Sequence, residues 1–118
     1  APVIKGDGSA MKGFLYINDT INGIMILAEN MKRKELWGKA FNFYPDCNMS
    51  VLDVVKTILK VMNRQDLPIK TNGDSGDESI EFLSNHLAKS KLGWKQEVSL
   101  EAGIGFSITD YKRYEARI

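Results

Sequence analysis

Lys39-Ala40-Phe41-Asn42-Phe43-Tyr44-Pro45 runs from a mainly apolar stretch into a proline, and a helix-opening Ser50 follows. A buried strand that ends in a loop before a capped helix suits a ligand at the strand's carboxyl end, where open α/β sheets hold theirs. The chemistry expected of such a crevice is binding, because groups for covalent or proton-transfer work are sparse. His86 is the sole histidine, and no motif sets a serine or cysteine beside it, so it reads as a surface histidine and not as half of a dyad. Cys47, the sole cysteine, lies in the loop near the expected crevice. Lacking a flanking base or helix start, it reads as an inert thiol. Asp74, Asp77 and Glu78 are oxygen donors for a hard cation, but their spacing matches no calcium loop; they read as a solvated acidic loop. Gly6-x-Gly8 and Gly103-x-Gly105 lack the third glycine and the preceding strand of a dinucleotide-binding turn.

The elements that must position these residues follow from periodicity and punctuation. Pro2 to Lys5 is short and extended, and Gly6-Asp7-Gly8-Ser9 is turn chemistry. Phe14 to Ile17 reads as a strand. Asp19 can cap a helix over 19–32. Ile21, Ile24, Met25, Ala28 and Met31 recur on it at helical spacing as a buried face. Lys32, Arg33 and Lys34 then suit the negative end of its dipole. Lys39 to Tyr44 is the central strand. Ser50 with Asp53 resembles a capping box opening an amphipathic helix over 50–63, with Val51, Val54, Val55, Ile58 and Met62 on one face. Leu67 to Lys70 reads as a short strand, Thr71 to Glu78 as a loop, and Ser79 to Leu83 as extended chain. A short helix over 85–91 closes at Gly93, and a last helix over 99–115 turns Leu100, Ile104, Ile108 and Tyr111 inward. Trp94 plugs the core where that helix docks; Trp37 is partly exposed. Strands alternating with about four helices give an α/β class in a single domain, 1–118.

The totals exclude several functions. Net charge is +1, without the concentrated positive charge that phosphate backbones demand, so nucleic acid is not a partner. No apolar run approaches the roughly 20 residues that span a bilayer, and the N-terminus shows no signal-peptide pattern, so no membrane role is expected. One cysteine excludes an intrachain disulfide and a cysteine-built zinc site, and fits a reducing, cytoplasmic setting.

Five segments, in register over nearly the whole chain, resemble the C-terminal part of the NAD-dependent nucleotide-sugar epimerases and dehydratases, the extended short-chain dehydrogenase/reductase group. They are Gly6-Asp7-Gly8 through Lys12-Gly13-Phe14 to Asp19, Ala40-Phe41-Asn42-Phe43, Ser50-Val51-Leu52-Asp53-Val54-Val55, Leu83 through Leu92-Gly93-Trp94, and Ser99 through Tyr111. CDP-glucose 4,6-dehydratase-like members look nearest. The resemblance implies the C-terminal portion of an extended Rossmann-type fold that binds a nucleotide-diphosphate sugar. Ala1-Pro2-Val3-Ile4 begins as if mid-fold, and the N-terminal NAD-binding portion is expected to be absent. The family's Gly-x-x-Gly-x-x-Gly turn is not in the sequence. Its Tyr-x-x-x-Lys pair is missing too: Tyr16, Tyr44, Tyr111 and Tyr114 are followed four residues on by Thr20, Asn48, Glu115 and Ile118. The chain is therefore expected to bind no NAD, which belongs to a parent enzyme, and to be inactive alone.

The resemblance also implies site residues. Lys12 falls where the family places an arginine that clamps the diphosphate; a lysine supplies a point charge in place of a two-pronged donor. Gly13 falls where the family has aspartate, so an acceptor beside the clamp is lost. Val3 and Ile4 fall at an apolar wall against the base, and Asp19 falls beside the pocket. Tyr44-Pro45-Asp46 sits where the cleft would open. No catalytic or metal-binding residue is expected. Faces of helices 19–32 and 50–63 that normally meet a sheet would be bare, which implies a homo-oligomer or docking on the missing half. The competing expectation is a non-catalytic α/β module that binds a partner or only packs.

Overall fold

The computed structural model describes residues 1–73 and 80–117. The elements run β1 (Val3–Lys5), β2 (Met11–Lys12), α1 (Ile17–Glu29), a 3-10 turn (Lys34–Leu36), β3 (Met49–Ser50), α2 (Val51–Val61), β4 (Lys70–Asn72), α3 (His86–Leu92) and α4 (Leu100–Glu115). The α/β class and the four helices are as expected. The strands form two small ribbons. β1 lies parallel to β4, Val3 opposite Lys70, while β2 runs antiparallel to β3, Lys12 opposite Met49. Ile80 bridges to Met11 in parallel.

Where local chemistry sets a helix end, expectation and structure agree. Ser50 Oγ accepts the Asp53 N–H at 3.0 Å and donates to the Asp53 carboxylate at 2.8 Å, which opens α2. Ser99 Oγ accepts from the Ala102 N–H to open α4. Gly93 closes α3 at φ 66°, a left-handed conformation that glycine takes without a Cβ penalty.

Four expectations are corrected. Segment 39–44 forms no strand, because a strand exists only where a neighbour offers its N–H and C=O groups, and none flanks this segment among the described residues. The strand at 14–17 is replaced by β2, and Ile17 already belongs to α1. The strand at 67–70 is shifted to Lys70–Asn72. Asp19 does not cap α1: the N-cap is Tyr16, without a side-chain bond. Arg33 also lies beyond the end of α1, and its guanidinium donates to the Lys91 carbonyl in the last turn of α3 at 2.9 Å.

α1 packs through the face opposite to the one its apolar period marks. Asp19 and Gly23 are buried, and Ile26 and Leu27 pack on the core of Leu36, Ala88, Leu92 and Trp94, joined by Leu15, Phe41 and Phe43. Ile21, Ile24, Met25, Ala28 and Met31 are exposed. Gly23 decides this orientation. A Cβ there would come within 2.5 Å of the Phe43 ring, so only glycine lets the 41–43 segment lie against the helix. Elsewhere α2 meets α4, with Val54 and Leu59 buried and Leu100, Ile104 and Ile108 half-buried, whereas Tyr111 is exposed. The result is a slab of 53 × 38 × 22 Å with a radius of gyration of 17.3 Å. A compact domain of this length would have about 13.5 Å.

The core is pinned at Asp19. Its two carboxylate oxygens accept the main-chain N–H groups of Glu97 (3.2 Å) and Val98 (3.0 Å). Its carbonyl accepts the Trp94 indole N–H at 2.9 Å, and the Trp94 ring lies 5.4 Å from that of Phe43. Asp19→Ala would strand two N–H groups and is expected to lower the unfolding free energy by about 2–4 kcal/mol. Urea denaturation measures this, and a loss below about 1 kcal/mol would show that the pin carries little.

Candidate functional site

The site is built where β2 ends. After Lys12 the chain reaches Gly13, and the Tyr44 ring lies directly on it: a Cβ at position 13 would sit 2.3 Å from Tyr44 Cζ and 2.5 Å from its hydroxyl oxygen. Gly13 and Tyr44 therefore require one another. The glycine that replaces the aspartate implied by the family resemblance is the space in which Tyr44 packs. Lys12 is half-buried on β2, and Tyr44 is buried.

Around Tyr44 the structure brings together groups that spacing alone could not find. Its hydroxyl lies 2.8 Å from the Glu81 carbonyl oxygen and 2.9 Å from Asn48 Oδ1, and its one proton serves one of them at a time. The Asn48 amide also donates to the Glu81 carbonyl. Glu81 N–H donates to Met11 O at 3.1 Å, which ties this segment to β2. At the other end, Asn85 Nδ2 donates to the Tyr44 carbonyl and to Asp46 Oδ1, both at 2.9 Å. Between the two walls lies a cleft of about 320 Å³, lined by Pro45, Asp46 and Asn48 on one side and by Phe82 to Asn85 with Lys89 on the other. Apart from Tyr44 and Asn48, four residues apart, the partners across the two walls stand 33 to 43 residues apart, so no local pattern announces them.

Val3 and Ile4 belong to the other ribbon. The alternation of β1 leaves Val3 exposed and buries Ile4, whose Cδ1 points to Gly8 beside the first turn of α2. Lys12 and Tyr44 thus share one neighbourhood, and Val3 with Ile4 stands at the far side of the 6–10 turn. Cys47 and His86 are exposed. Trp94 is the buried plug expected, and Trp37 is exposed with its indole N–H on the Met31 carbonyl. Asp74, Asp77 and Glu78 lie outside the described residues. Among the described residues no three metal-ligating side chains converge, and no helix is long and apolar enough to cross a membrane.

No protein-family model matches the chain. It is 28% identical over 97 residues to a UDP-glucose 4-epimerase of Oryza sativa subsp. japonica, a match that covers 80% of this chain and 26% of that protein. A UDP-glucuronic acid 4-epimerase from Bacillus cereus, solved with UDP-glucuronic acid and NAD, superposes on 96% of the chain with a TM-score of 0.79 at 24% identity; 36% of that enzyme is covered. A dTDP-glucose 4,6-dehydratase from Bacillus anthracis, solved with NAD, superposes on 97% with a TM-score of 0.73 at 19% identity; 35% of it is covered. The chain thus spans about a quarter of the curated relative and about a third of these solved chains. Its fold is that of Rossmann-type short-chain dehydrogenase/reductase neighbours, and the resemblance to the C-terminal part of nucleotide-sugar epimerases and dehydratases holds.

Asp46, in the cleft, has a displaced titration. The Lys89 ammonium, then the Asn85 amide, hold its carboxyl below the usual carboxylate range. A folded-state value below the unfolded one means that the contact contributes stability above the unfolded value, about 3.9, and loses it as pH falls through the lowered one. Lys89→Ala is expected to bring the Asp46 titration back towards that ordinary value in an NMR titration. An unchanged midpoint would remove Lys89 as the cause.

Proposed function

We propose that this chain is the substrate-binding portion of an NAD-dependent nucleotide-sugar epimerase or 4,6-dehydratase, and that it is inactive alone. The observation that carries the reading is the superposition of nearly the whole chain on enzymes solved with NAD, one of them also with its UDP-sugar. The chain's own residues supply binding. Lys12, on β2 beside the Tyr44 wall, is the cation for a diphosphate. Val3 stays on the surface as the apolar contact for the base, and Ile4, next to it on β1, is buried on the opposite face near Gly8. NAD does not fit the residues present, since neither Gly-x-Gly turn is the phosphate cradle that a dinucleotide needs. The cofactor and the proton-transfer pair are therefore assigned to another part of a parent enzyme.

A second reading, a non-catalytic packing or partner-binding module, is favoured by Gly13: the acceptor expected beside the clamp gives way to a tyrosine ring. Titrating the chain with CDP, UDP, dTDP and GDP separates the two. CDP is the nucleotide suggested by sequence resemblance, and UDP and dTDP are those named in the relatives. Chemical-shift changes at Lys12 and residues 44–47 that Lys12→Ala abolishes are expected. No change with any of the four would favour the module.

The bare face of α1 bears on partners. Ile17, Ile21, Ile24 and Met25 are about half exposed or more on one side of the helix, a surface that associates in water. The chain is proposed to pair with itself or to dock on an NAD-binding half. Light scattering is expected to give a mass above the 13.3 kDa of one chain, reduced by Ile24→Lys. A clean monomer at high concentration would count against self-association.

A further inference from the structure

Segment 81–85, whose residues 82–85 line one wall of the cleft, has no regular secondary structure. Phe82 and Leu83 within it are exposed, so burial of its own side chains does little to hold it. It is held from both ends by one residue. The Tyr44 hydroxyl reaches the Glu81 carbonyl, and the Tyr44 carbonyl takes the Asn85 amide. Asn48 doubles the first tie, and Asn42 adds a weaker one to the Ser84 carbonyl at 3.3 Å. The ring that places the hydroxyl is itself fixed by Gly13, the residue after Lys12.

We propose that Tyr44 is a positioning residue: seated on Gly13, it clamps segment 81–85 against β2 and so sets the wall next to Lys12. The consequence for Lys12 as a ligand group rests on the proposed nucleotide-sugar function; the clamp itself does not. Position 13 must stay glycine for a reason that is packing and not backbone conformation, and the hydroxyl acts on the main chain of another segment. The clamp also explains how a wall with exposed apolar side chains keeps one position. Its Glu81 N–H is satisfied by β2, its Glu81 carbonyl by Tyr44 and Asn48, and its departure into α3 is fixed through Asn85.

Tyr44→Phe tests this, because it keeps the ring on Gly13 and removes only the hydroxyl. Amide hydrogen exchange at Glu81 is expected to speed up at least tenfold, with the helical amides of Leu59 and Ala88 unchanged within twofold. Unchanged exchange at Glu81, or an equal rise at all three, overturns the clamp. The interlock has its own test. Gly13→Ala is expected to shift the folding equilibrium towards the unfolded state, and Tyr44→Gly to cost at least tenfold less in the Gly13→Ala chain than in wild type; strict additivity overturns it. For positioning, UDP is titrated into wild type and Tyr44→Phe. At least threefold weaker binding to the variant is expected, and equal binding reduces Tyr44 to a structural role and overturns the positioning. If wild type binds none of the four nucleotides, the nucleotide-sugar reading and this ligand consequence fail together, while the exchange result still decides the clamp.

Discussion

A buried carboxylate held by main-chain N–H groups pins this molecule together. Asp19 is 3% exposed, and the two main-chain N–H groups of Glu97 and Val98 satisfy its charge. Charge-assisted bonds of this kind are about twice as strong as neutral ones, and removing the acceptor leaves donors unsatisfied. The pin fixes the loop between α3 and α4 against α1, and the Trp94 indole on the Asp19 carbonyl fixes the core plug to the same residue. Once that loop is placed, α4 leaves Ser99 in a set direction and meets α2. Tyr16 and Phe106 then close the junction with ring centres 5.6 Å apart.

Close approach at glycine is the second constraint, and it acts twice. Gly23 admits Phe43 to α1, and Gly13 admits Tyr44 to the end of β2. The two aromatic residues are neighbours in sequence, so segment 41–45 is laid down between the core and the cleft by two glycines on different elements. This explains why an apolar run that reads as a central strand is held in place with no strand partner among the described residues. Its order comes from side-chain packing at Phe41, Phe43 and Tyr44, and its polar handles, Asn42 and the Tyr44 hydroxyl, reach outward to segment 81–85.

What the sequence made legible was local chemistry: the serine caps of α2 and α4, the glycine stop of α3, the Trp94 plug and the α/β order. The family resemblance was legible too, because its segments sit in register. The orientation of α1 was not. Hydrophobic period reports which face avoids water in some assembly, and it cannot say whether the partner lies within these residues. Here Asp19 and Gly23, polar and small, mark the packed face, and Ile21, Ile24 and Met25 mark the bare one. The arrangement of the candidate site was half legible. Tyr44 stood out by its place before a proline, and Lys12 by resemblance, but Asn48, Glu81 and Asn85 are joined to Tyr44 by main-chain and amide bonds that leave no periodic trace.

The thin shape and the bare α1 face have one physical origin. A slab 22 Å thick has room for little more than two layers of helix, so each helix covers one side of its neighbour and leaves the other side to solvent. α1 spends its inner side on the Asp19 pin and the Phe43 contact, and α2 spends its own on α4. The cleft lies away from this apolar surface: its walls are 45–48 and 82–85, and none of the exposed α1 residues lines it. A cover laid on Ile17, Ile21, Ile24 and Met25 would therefore leave the Tyr44 wall and its polar contacts in place. The proposed association through α1 and the proposed ligand binding near Lys12 would use different surfaces of the same slab, joined through segment 41–45, where Phe43 lies on Gly23 of α1 and Tyr44 lies on Gly13 after β2.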